Sequence, residues 1–330
     1  MTRLGAALVL VWVAAGALAP FLSPNPPAAQ FEYPYVPPMR PRIIDADGRW
    51  RAPFVYPVRV ASLIERRYEM DRAHPVPLVW FSNGRLVATE DPSTPLLLLG
   101  SDAINRDVFA RLLYGARASL GVAIVAGLCA LIIGAAAGAA AGYAGGWLDD
   151  LIMRVADLLI LLPAIYIVLA LRAVMPLTLG FHQVFWLMAV ILAVVGWPHV
   201  ARPVRAIVAT ESHREYVEAA RSVGAGPARI VMRHLVPASR HALVTQATLL
   251  LPAFVLSEAT LSFVGLGFPD PTASWGTMLL EAGRNVRALS DYPWILSPAV
   301  AIILCVLGLH LIVGAGRSAP PLTNTSRIIK

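Results

Sequence analysis

Two acidic residues lie inside otherwise apolar runs, and they are the first candidates for chemistry in this sequence. Asp157 and Glu258 stand far apart in the chain, and neither is spaced with histidine, cysteine or a second acid as a metal site would require. Acids inside apolar runs are functional candidates by default. Both lie near the end of their run, where water or an arginine can satisfy the carboxylate, so a structural role stays open for each.

The sequence lacks the common motifs of nucleotide hydrolysis and of hydrolytic catalysis. It contains no GxxxxGK[ST] P-loop, no HExxH zinc motif and no GxSxG nucleophile motif. We therefore predict a chain that is not an enzyme, with no catalytic residues, no metal site and no cofactor of its own.

A charged, glycine-containing segment between two apolar runs is the second candidate site. It spans residues 214–237 and reads REYVEAARSVGAGPARIVMRHLVP. Projected on a helix, one face of its first half carries Tyr216, Val217, Ala219, Ala220 and Val223. The other face carries Arg214, Glu218 and Arg221, where the glutamate is spaced to reach both arginines.

The glycines and prolines of this segment predict where its helices begin and end. Gly224 suits the left-handed conformation that ends a helix, and Gly226 with Pro227 suits the start of a second helix. Pro237 is predicted to end that second helix. The residues alone indicate a helix–turn–helix, and they leave open whether it binds a partner or is a solvated amphipathic loop.

Composition places these sites in a membrane protein. The 330 residues are 57% hydrophobic and 14% charged, with a mean hydropathy of +0.65, and the sequence contains several runs near the roughly 20 residues that cross a bilayer. We predict six transmembrane helices at about 4–22, 118–141, 154–173, 183–201, 243–264 and 294–314. The first run also resembles a secretory signal, but Pro20 directly after Ala17-Leu18-Ala19 favours a retained span.

Arginine-rich short loops predict the orientation. The 202–242 loop is arginine-rich, and the tail carries Arg317, Arg327 and Lys330, so both are predicted to be cytoplasmic together with the N-terminus. The net charge of +7 serves this orientation, and we predict no nucleic-acid partner. The predicted organisation is a first helix at 1–22, an extracytoplasmic segment at 23–115, a five-helix core at 116–316 and a tail at 317–330.

We predict that the extracytoplasmic segment is an irregular insertion that contains some β-structure. Alternating residues flank Asp45-Ala46-Asp47-Gly48, which suits a hairpin turn, and the residues from Arg59 to Arg72 suggest a short helix. A functional cap and a passively tolerated insertion are both compatible with this composition.

Glycines four positions apart predict close packing of the second transmembrane helix. Gly134, Gly138 and Gly142 line one helix face and allow another backbone to approach. The pattern indicates a tight bundle or a dimer interface and carries no information about substrate.

Four stretches resemble one transporter family. The 214–237 segment, with Glu218-Ala219-Ala220, Gly224, Ile230 and Leu235-Val236-Pro237, resembles the EAA loop of ABC-importer permeases. Three others resemble its dipeptide/oligopeptide/nickel branch: GSDAINRDVFARLLYGARASL (100–120), LIMRVADLLILLP (151–163) and SEATLSFVGLGFPDPTASWG (257–276). Ser101 stands where that branch usually has threonine, and Asn105 stands where it usually has glycine. Among residues other than glycine, asparagine best tolerates a left-handed backbone, so we expect the turn to be kept.

The resemblance implies a fold, a set of partners and site residues. The fold would be an all-α membrane protein with the six transmembrane helices of a type I ABC importer permease, located in the cytoplasmic (inner) membrane. Partners would be a second homologous permease, two ABC ATPase subunits that bind ATP and magnesium, an extracytoplasmic substrate-binding protein and membrane lipid. The cargo would be a peptide, moved by alternating access.

The same resemblance assigns roles to residues of this chain. The predicted ATPase-docking residues are Arg214, Tyr216, Glu218, Ala219, Ala220, Arg221, Gly224 and Pro237. The candidates for the translocation path or gate are Glu258, Ser274, Trp275 and Gly276. The alternatives are an ion-coupled secondary transporter, which would need an ion site near the midplane, and a structural membrane protein whose basic loop only sets its orientation.

Overall fold

The computed structural model describes residues 2–62, 67–91, 93–163, 166–167, 170 and 180–316. Part of the predicted third span (154–173) and the whole predicted cytoplasmic tail (317–330) lie outside these residues. The number of six spans and the side of each terminus therefore stay predictions.

Helices make up most of the described chain. They are α1 (Thr2–Ala17), α2 (Ala19–Leu22), α3 (Val108–Ala144), α4 (Gly146–Leu161), α5 (Phe181–Glu211), α6 (Glu215–Ser222), α7 (Pro227–Ile230), α8 (Val236–Ala238), α9 (Arg240–Phe263), α10 (Trp275–Gly283), α11 (Val286–Asp291) and α12 (Ser297–Gly316). A π-helical turn, Val231–Leu235, joins α7 to α8, and a 3₁₀ turn, Pro293–Leu296, precedes α12.

Four of the described helices are long and apolar enough to cross a membrane. They lie at Val108–Ala144, Phe181–Glu211, Arg240–Phe263 and Pro293–Ile312, and Arg3–Ala17 forms a shorter apolar helix. A multi-pass membrane protein follows from these helices, because apolar helices of about 20 residues match the hydrocarbon thickness.

The glycine face of α3 packs against α5, as predicted for a tight bundle. A Cβ atom placed on Gly134 would lie 2.6 Å from the Trp197 carbonyl oxygen, and one on Gly142 would lie 2.6 Å from the Arg205 carbonyl oxygen. Side chains larger than hydrogen have no space there, so the two helix backbones are in direct contact. The contact lies within one chain.

The segment before α3 forms two small antiparallel sheets. Its strands are β1 (Arg42–Ile44), β2 (Trp50–Val55), β3 (Val58–Ser62), β4 (Arg67–Met70), β5 (Val76–Trp80) and β6 (Val87–Thr89). The first sheet has the order β1-β2-β5-β6, and the second contains β3 and β4. A separate apolar cluster, which includes Val55, Leu78, Leu96 and Leu97, fills the space beneath the first sheet.

The short helix suggested for Arg59 to Arg72 was wrong. The described residues of that range form β3 and β4, which pair with Val58 opposite Met70 and Val60 opposite Tyr68. Local sequence favoured a helix, but pairing between two strands with alternating exposure decides the conformation here.

A tight turn joins this segment to α3. Asn105 has φ 69°, the left-handed conformation predicted from its place in the sequence, and Asp107 caps the first turn of α3 by accepting a hydrogen bond from the Phe109 backbone N–H at 2.8 Å. The Asn25 amide also donates to the Asp107 carboxylate at 2.8 Å. Burial raises the pKa of Asp107 to about 6, although these hydrogen bonds favour its ionised form.

Candidate functional site

The 214–237 segment is a helix–turn–helix with a defined glycine turn. Helix α6 ends at Ser222, and Gly224 has φ 84°, as predicted. The Ala225 N–H donates to the Ala220 carbonyl at 3.0 Å, and the Gly224 N–H donates to the Arg221 carbonyl at 2.9 Å. This pair of hydrogen bonds is the Schellman arrangement, which needs a left-handed residue and therefore favours glycine.

The second helix begins as predicted and ends later than predicted. Gly226 caps α7 and Pro227 occupies its first turn. Helical backbone then continues past Pro237 to Ala238, so Pro237 does not end the helix. Proline has no backbone N–H, so the helix loses one hydrogen bond at Pro237. The π-helical turn directly before it accommodates this loss, because the Val236 N–H donates to the Val231 carbonyl, five residues back.

One face of the segment is anchored in the helical bundle. The side chains of Val217, Ile230 and Leu235 are fully buried and belong to the main apolar core. Helical projection grouped Val217 with Tyr216, Ala219, Ala220 and Val223 on one apolar face, but Val217 is buried in the bundle while Tyr216 and Val223 are exposed. Helical projection groups residues that share a face of one helix, but it does not tell which part of that face turns towards the rest of the chain.

The opposite face is exposed and apolar in part. Val223 is 86% exposed and Met232 is 70% exposed, while Tyr216 is 43% exposed. Glu218 and Ala219 are exposed as well, and Ala220 is half-buried beside the core. Exposed apolar side chains grouped in this way are candidates for contact with a partner.

Two charged residues of the segment contact other residues of the chain, and a third is exposed to solvent without a partner. Arg214 pairs with Glu211 at 3.6 Å, and the guanidinium of Arg221 lies 5.4 Å above the ring of Tyr143, at the end of α3. Within the described part of the chain, the Glu218 carboxylate has no hydrogen bond or ion pair. Its predicted spacing to the two arginines is present, but both arginines turn to other partners.

Tyr216 bends back towards its own chain. Its hydroxyl donates to the Glu211 carboxylate at 2.8 Å, and its ring lies 6.0 Å from that of His234. Partial burial and the Glu211 carboxylate raise the pKa of Tyr216, so the phenol stays neutral.

Glu258 lies in a buried polar cluster, not in an open path. Its side chain is fully buried in α9, and the Ser262 hydroxyl donates to Oε1 at 2.7 Å. The hydroxyls of Ser119 and Ser274 also face this carboxyl group. Its second oxygen, Oε2, has no hydrogen-bond partner in the described chain.

The other three gate candidates join the same cluster from α10. Ser274 caps α10, and the Trp275 N–H donates to the Ser119 hydroxyl at 3.1 Å. The Trp275 indole donates to the Leu112 carbonyl at 3.1 Å. A Cβ on Gly276 would lie 2.5 Å from Ser262 Cβ, so α10 and α9 are in direct contact.

These four residues are therefore brought together where α3, α9 and α10 meet. A cavity of about 410 Å³ lies beside them, and its lining includes Ser262 and Thr277. The lining does not include Glu258, Ser274, Trp275 or Gly276. The four predicted residues lie one layer behind the cavity wall.

Sequence reasoning missed an ionic cluster around two buried arginines, and two of its carboxylates line this cavity. We call it the outer junction; it consists of Asp102, Arg106, Arg111, Asp270 and Glu281. Arg106 donates to all three carboxylates, at 2.8 Å to Asp102 and at 2.6 Å to each of the other two. Both arginine side chains are almost fully buried.

The outer junction joins the turn before α3 to α10. Arg111 donates to Glu281 at 2.9 Å, and its Nε lies 3.5 Å from Asp102. Burial opposes the charge on Arg106, but Asp102 and Glu281 outweigh it and raise its pKa. The i,i+4 spacing of Asp102 and Arg106 was the one local signal, and it could not reveal partners more than 160 positions away.

Asp157, the other acid in an apolar run, forms an ion pair with Arg202 across α4 and α5. Both side chains are about half exposed, and Asp149 pairs with Arg205 nearby. These contacts favour the structural role that the sequence left open. In the described ranges, no group of three or more His, Cys, Asp or Glu is placed to hold a metal ion.

Comparison with known proteins gives a consistent result. Residues 130–316 match the model of the family described as "binding-protein-dependent transport system inner membrane component". A Brucella ovis protein whose name describes a peptide permease is 38% identical over 214 residues, which cover 64% of this chain and 68% of that protein. The oligopeptide transport system permease protein OppC of Bacillus subtilis is 34% identical over 233 residues, covering 70% and 73%.

Proposed function

Because the chain belongs to the family of binding-protein-dependent transport system inner membrane components, the permease subunits of ABC importers, we propose that it carries peptides across the inner membrane. It would do so beside a second homologous permease, with both termini in the cytoplasm. A substrate-binding protein would deliver the peptide on the other side. ATP and magnesium would be bound by two ATPase subunits, so this chain would perform no bond chemistry. The names of its relatives support the peptide cargo.

The two-sided 214–237 segment is the observation that carries the coupling part of this proposal. Val217, Ile230 and Leu235 fix one side to the bundle, and Tyr216 and Val223 leave an apolar surface on the other. A mobile loop would not transmit displacement, whereas a helix pair packed on the core moves with it. Exposed Glu218 and Ala219 complete a surface that an ATPase subunit can cover.

Two contacts extend this segment into the membrane helices. Arg221 lies over Tyr143 at the end of α3, and Arg214 is tied to Glu211 at the end of α5. Since α3 and α5 touch along their glycine face, a displacement of the segment would reach both helices together. Closing of the ATPases would in this way switch the permease pair between inward-open and outward-open states.

The four gate candidates take a supporting role in this proposal. Glu258 accepts a hydrogen bond from Ser262, a residue of the cavity wall. The Trp275 indole bonds α10 to α3, and Gly276 allows α10 to pack directly on α9. We propose that they set the shape of the wall and do not themselves contact the peptide.

A pair of serine substitutions tests the coupling role. Gly224→Ser forces a side chain into the left-handed conformation, which costs about 1–2 kcal/mol. Gly226→Ser adds the same side chain at φ −70°, where serine is a favoured helix cap. Both positions have open space around the added Cβ. We expect Gly224→Ser to reduce ATPase co-purification and ATP-dependent peptide uptake severalfold, and Gly226→Ser to leave both unchanged.

Asparagine provides the rescue, because it tolerates the left-handed conformation better than serine does. Gly224→Asn should recover part of the lost coupling. If Gly224→Ser retained full ATPase association and uptake, the segment would not be the coupling element.

A further inference from the structure

One end of the four-stranded sheet exposes a row of large apolar side chains. Ile44 pairs with Trp50, and the antiparallel pairing of β2 with β5 places Trp80 and Phe81 at that same end. Trp50 is 76% exposed and Phe81 is 72% exposed, and Trp80 and Ile44 are exposed by about half. We call these four residues the aromatic end of the sheet.

The aromatic end is fastened to the end of the first apolar helix. The Leu86 N–H donates to the Phe21 carbonyl at 2.7 Å, and the rings of Phe21 and Phe81 lie 6.3 Å apart. The Arg85 guanidinium donates to the Pro24 carbonyl in the same place. Phe21 lies at the end of α2, directly after apolar α1. If α1 crosses the membrane, as we predict from the sequence, the aromatic end lies at the level where this helix leaves it.

The backbone holds Phe81 outwards at an energetic cost. Phe81 has φ 56°, a conformation that a bulky residue rarely adopts, and Asn83 and Gly84 in the same turn are also left-handed. Glycine would adopt this turn without strain. Within the chain, Phe81 has a ring contact with Phe21, yet it stays 72% exposed. Strain at an exposed bulky side chain favours a role in contact with something outside the chain.

Arginines accompany these aromatic rings. Arg49 and Arg51 flank Trp50, and Arg85 lies in the turn after Phe81. Arg51 pairs with Asp45, while Arg49 is exposed. Tryptophan rings with nearby guanidinium groups are typical of side chains at the headgroup level of a bilayer, where the ring is half-immersed and the cation meets phosphate.

We propose that the aromatic end of the sheet rests in the headgroup layer of the bilayer, on the side of the membrane where the sheet lies, and anchors the sheet against lipid. A soluble partner is disfavoured because it would have to reach a surface that lies at the depth where the first helix emerges. The opposite end of the sheet, at Val55 and Val76, points away from Phe21 and has no comparable row of exposed aromatic side chains among the described residues.

Spin labels can measure this depth in the assembled transporter. Cysteine would replace Phe81 or Trp50, one at a time, with Cys129 and Cys305 changed to alanine, and the complex would be reconstituted in lipid nanodiscs. Met70→Cys is the matched control, since Met70 is 43% exposed and pairs with Val58, just beyond the opposite end of β2. The measurement is the ratio of collision rates with lipid-soluble oxygen and with a water-soluble nickel chelate.

We expect this ratio to be several-fold higher at positions 81 and 50 than at position 70. The Trp50 variant is the check on loss of assembly, because Trp50 lies on strand β2 and not in the left-handed turn that contains Phe81. Equal aqueous exposure at all three positions would overturn the proposal. Protection of positions 81 and 50 only after a substrate-binding protein is added would overturn it as well, in favour of a protein-docking surface.

Discussion

The outer junction and the 214–237 segment handle charge in opposite ways. At the junction, buried Arg106 donates to three carboxylates of its own chain, and buried Arg111 pairs with Glu281, although its Nε and Nη1 have no hydrogen-bond partner among the described residues. In the segment, Glu218 is exposed and has no partner in the described chain. The difference indicates that the junction is completed within the chain, whereas under the proposed function the segment would be completed by another subunit. Substitutions in the two regions should therefore affect different properties, stability in one and association in the other.

The largest effect is expected at the outer junction. Arg106→Leu would remove the cation that bonds all three carboxylates and leave Arg111 alone to face Asp102 and Glu281. Breaking a buried ion pair costs about 3–5 kcal/mol. The measurement is the thermal unfolding midpoint of the purified chain in detergent.

Arg202→Leu is the matched control, because the Arg202–Asp157 pair is half exposed and such pairs contribute about 0–1 kcal/mol. If both variants unfolded at the same temperature, burial would not be what distinguishes the junction.

An intermediate effect is expected at the contact of α10 with α9. Gly276→Ala would place a Cβ 2.5 Å from Ser262 Cβ, and overpacking of this kind costs about 1–3 kcal/mol. Gly283→Ala, in the same helix, would place its Cβ at an ordinary 3.5 Å from Phe263. We expect the unfolding midpoint to fall for Gly276→Ala only, with uptake reduced in proportion.

Uptake in Gly276→Ala could fall by more than its lower stability explains. That result would support the proposal that Gly276 helps to set the shape of the cavity wall. Unchanged stability would contradict the direct contact of the two helices.

The smallest effect on stability is expected where the segment meets α3. Tyr143→Leu removes the ring below Arg221, and an exposed cation–π contact contributes about 0.5–1 kcal/mol. Tyr143→Phe keeps a ring face and is the control. We expect both variants to bind the ATPases normally and to hydrolyse ATP. Peptide uptake should be reduced in Tyr143→Leu and unchanged in Tyr143→Phe.

Reduced ATPase association in both variants would instead place Tyr143 in the docking surface. That result would remove the distinction between the anchored and exposed sides of the segment.

Local features of the sequence predicted local features of the structure well. The left-handed Gly224, the helix start at Pro227 and the left-handed Asn105 each follow from the conformational range of one residue type. The glycine face of α3 follows from a repeat of four, because helix geometry alone brings such residues into line.

Features that depend on distant parts of the chain could not be predicted. The sequence gives no sign that Arg106 meets Glu281, since the two are 175 positions apart. The burial of Val217 depends on how α6 lies against the bundle, and a helical projection contains no such information. The strands at Val58–Ser62 and Arg67–Met70 likewise depend on pairing with each other.

Helix α3 begins beside the outer junction, at Val108, and ends one residue after Tyr143, which touches the segment. Its 37 residues form a rod about 55 Å long, at 1.5 Å per residue. A tilt of only about 3° moves one end of such a rod by about 3 Å relative to the other. Under the proposed coupling, an angular change too small to disturb the packing of neighbouring helices would therefore be converted into a displacement of about 3 Å at the opposite end of α3.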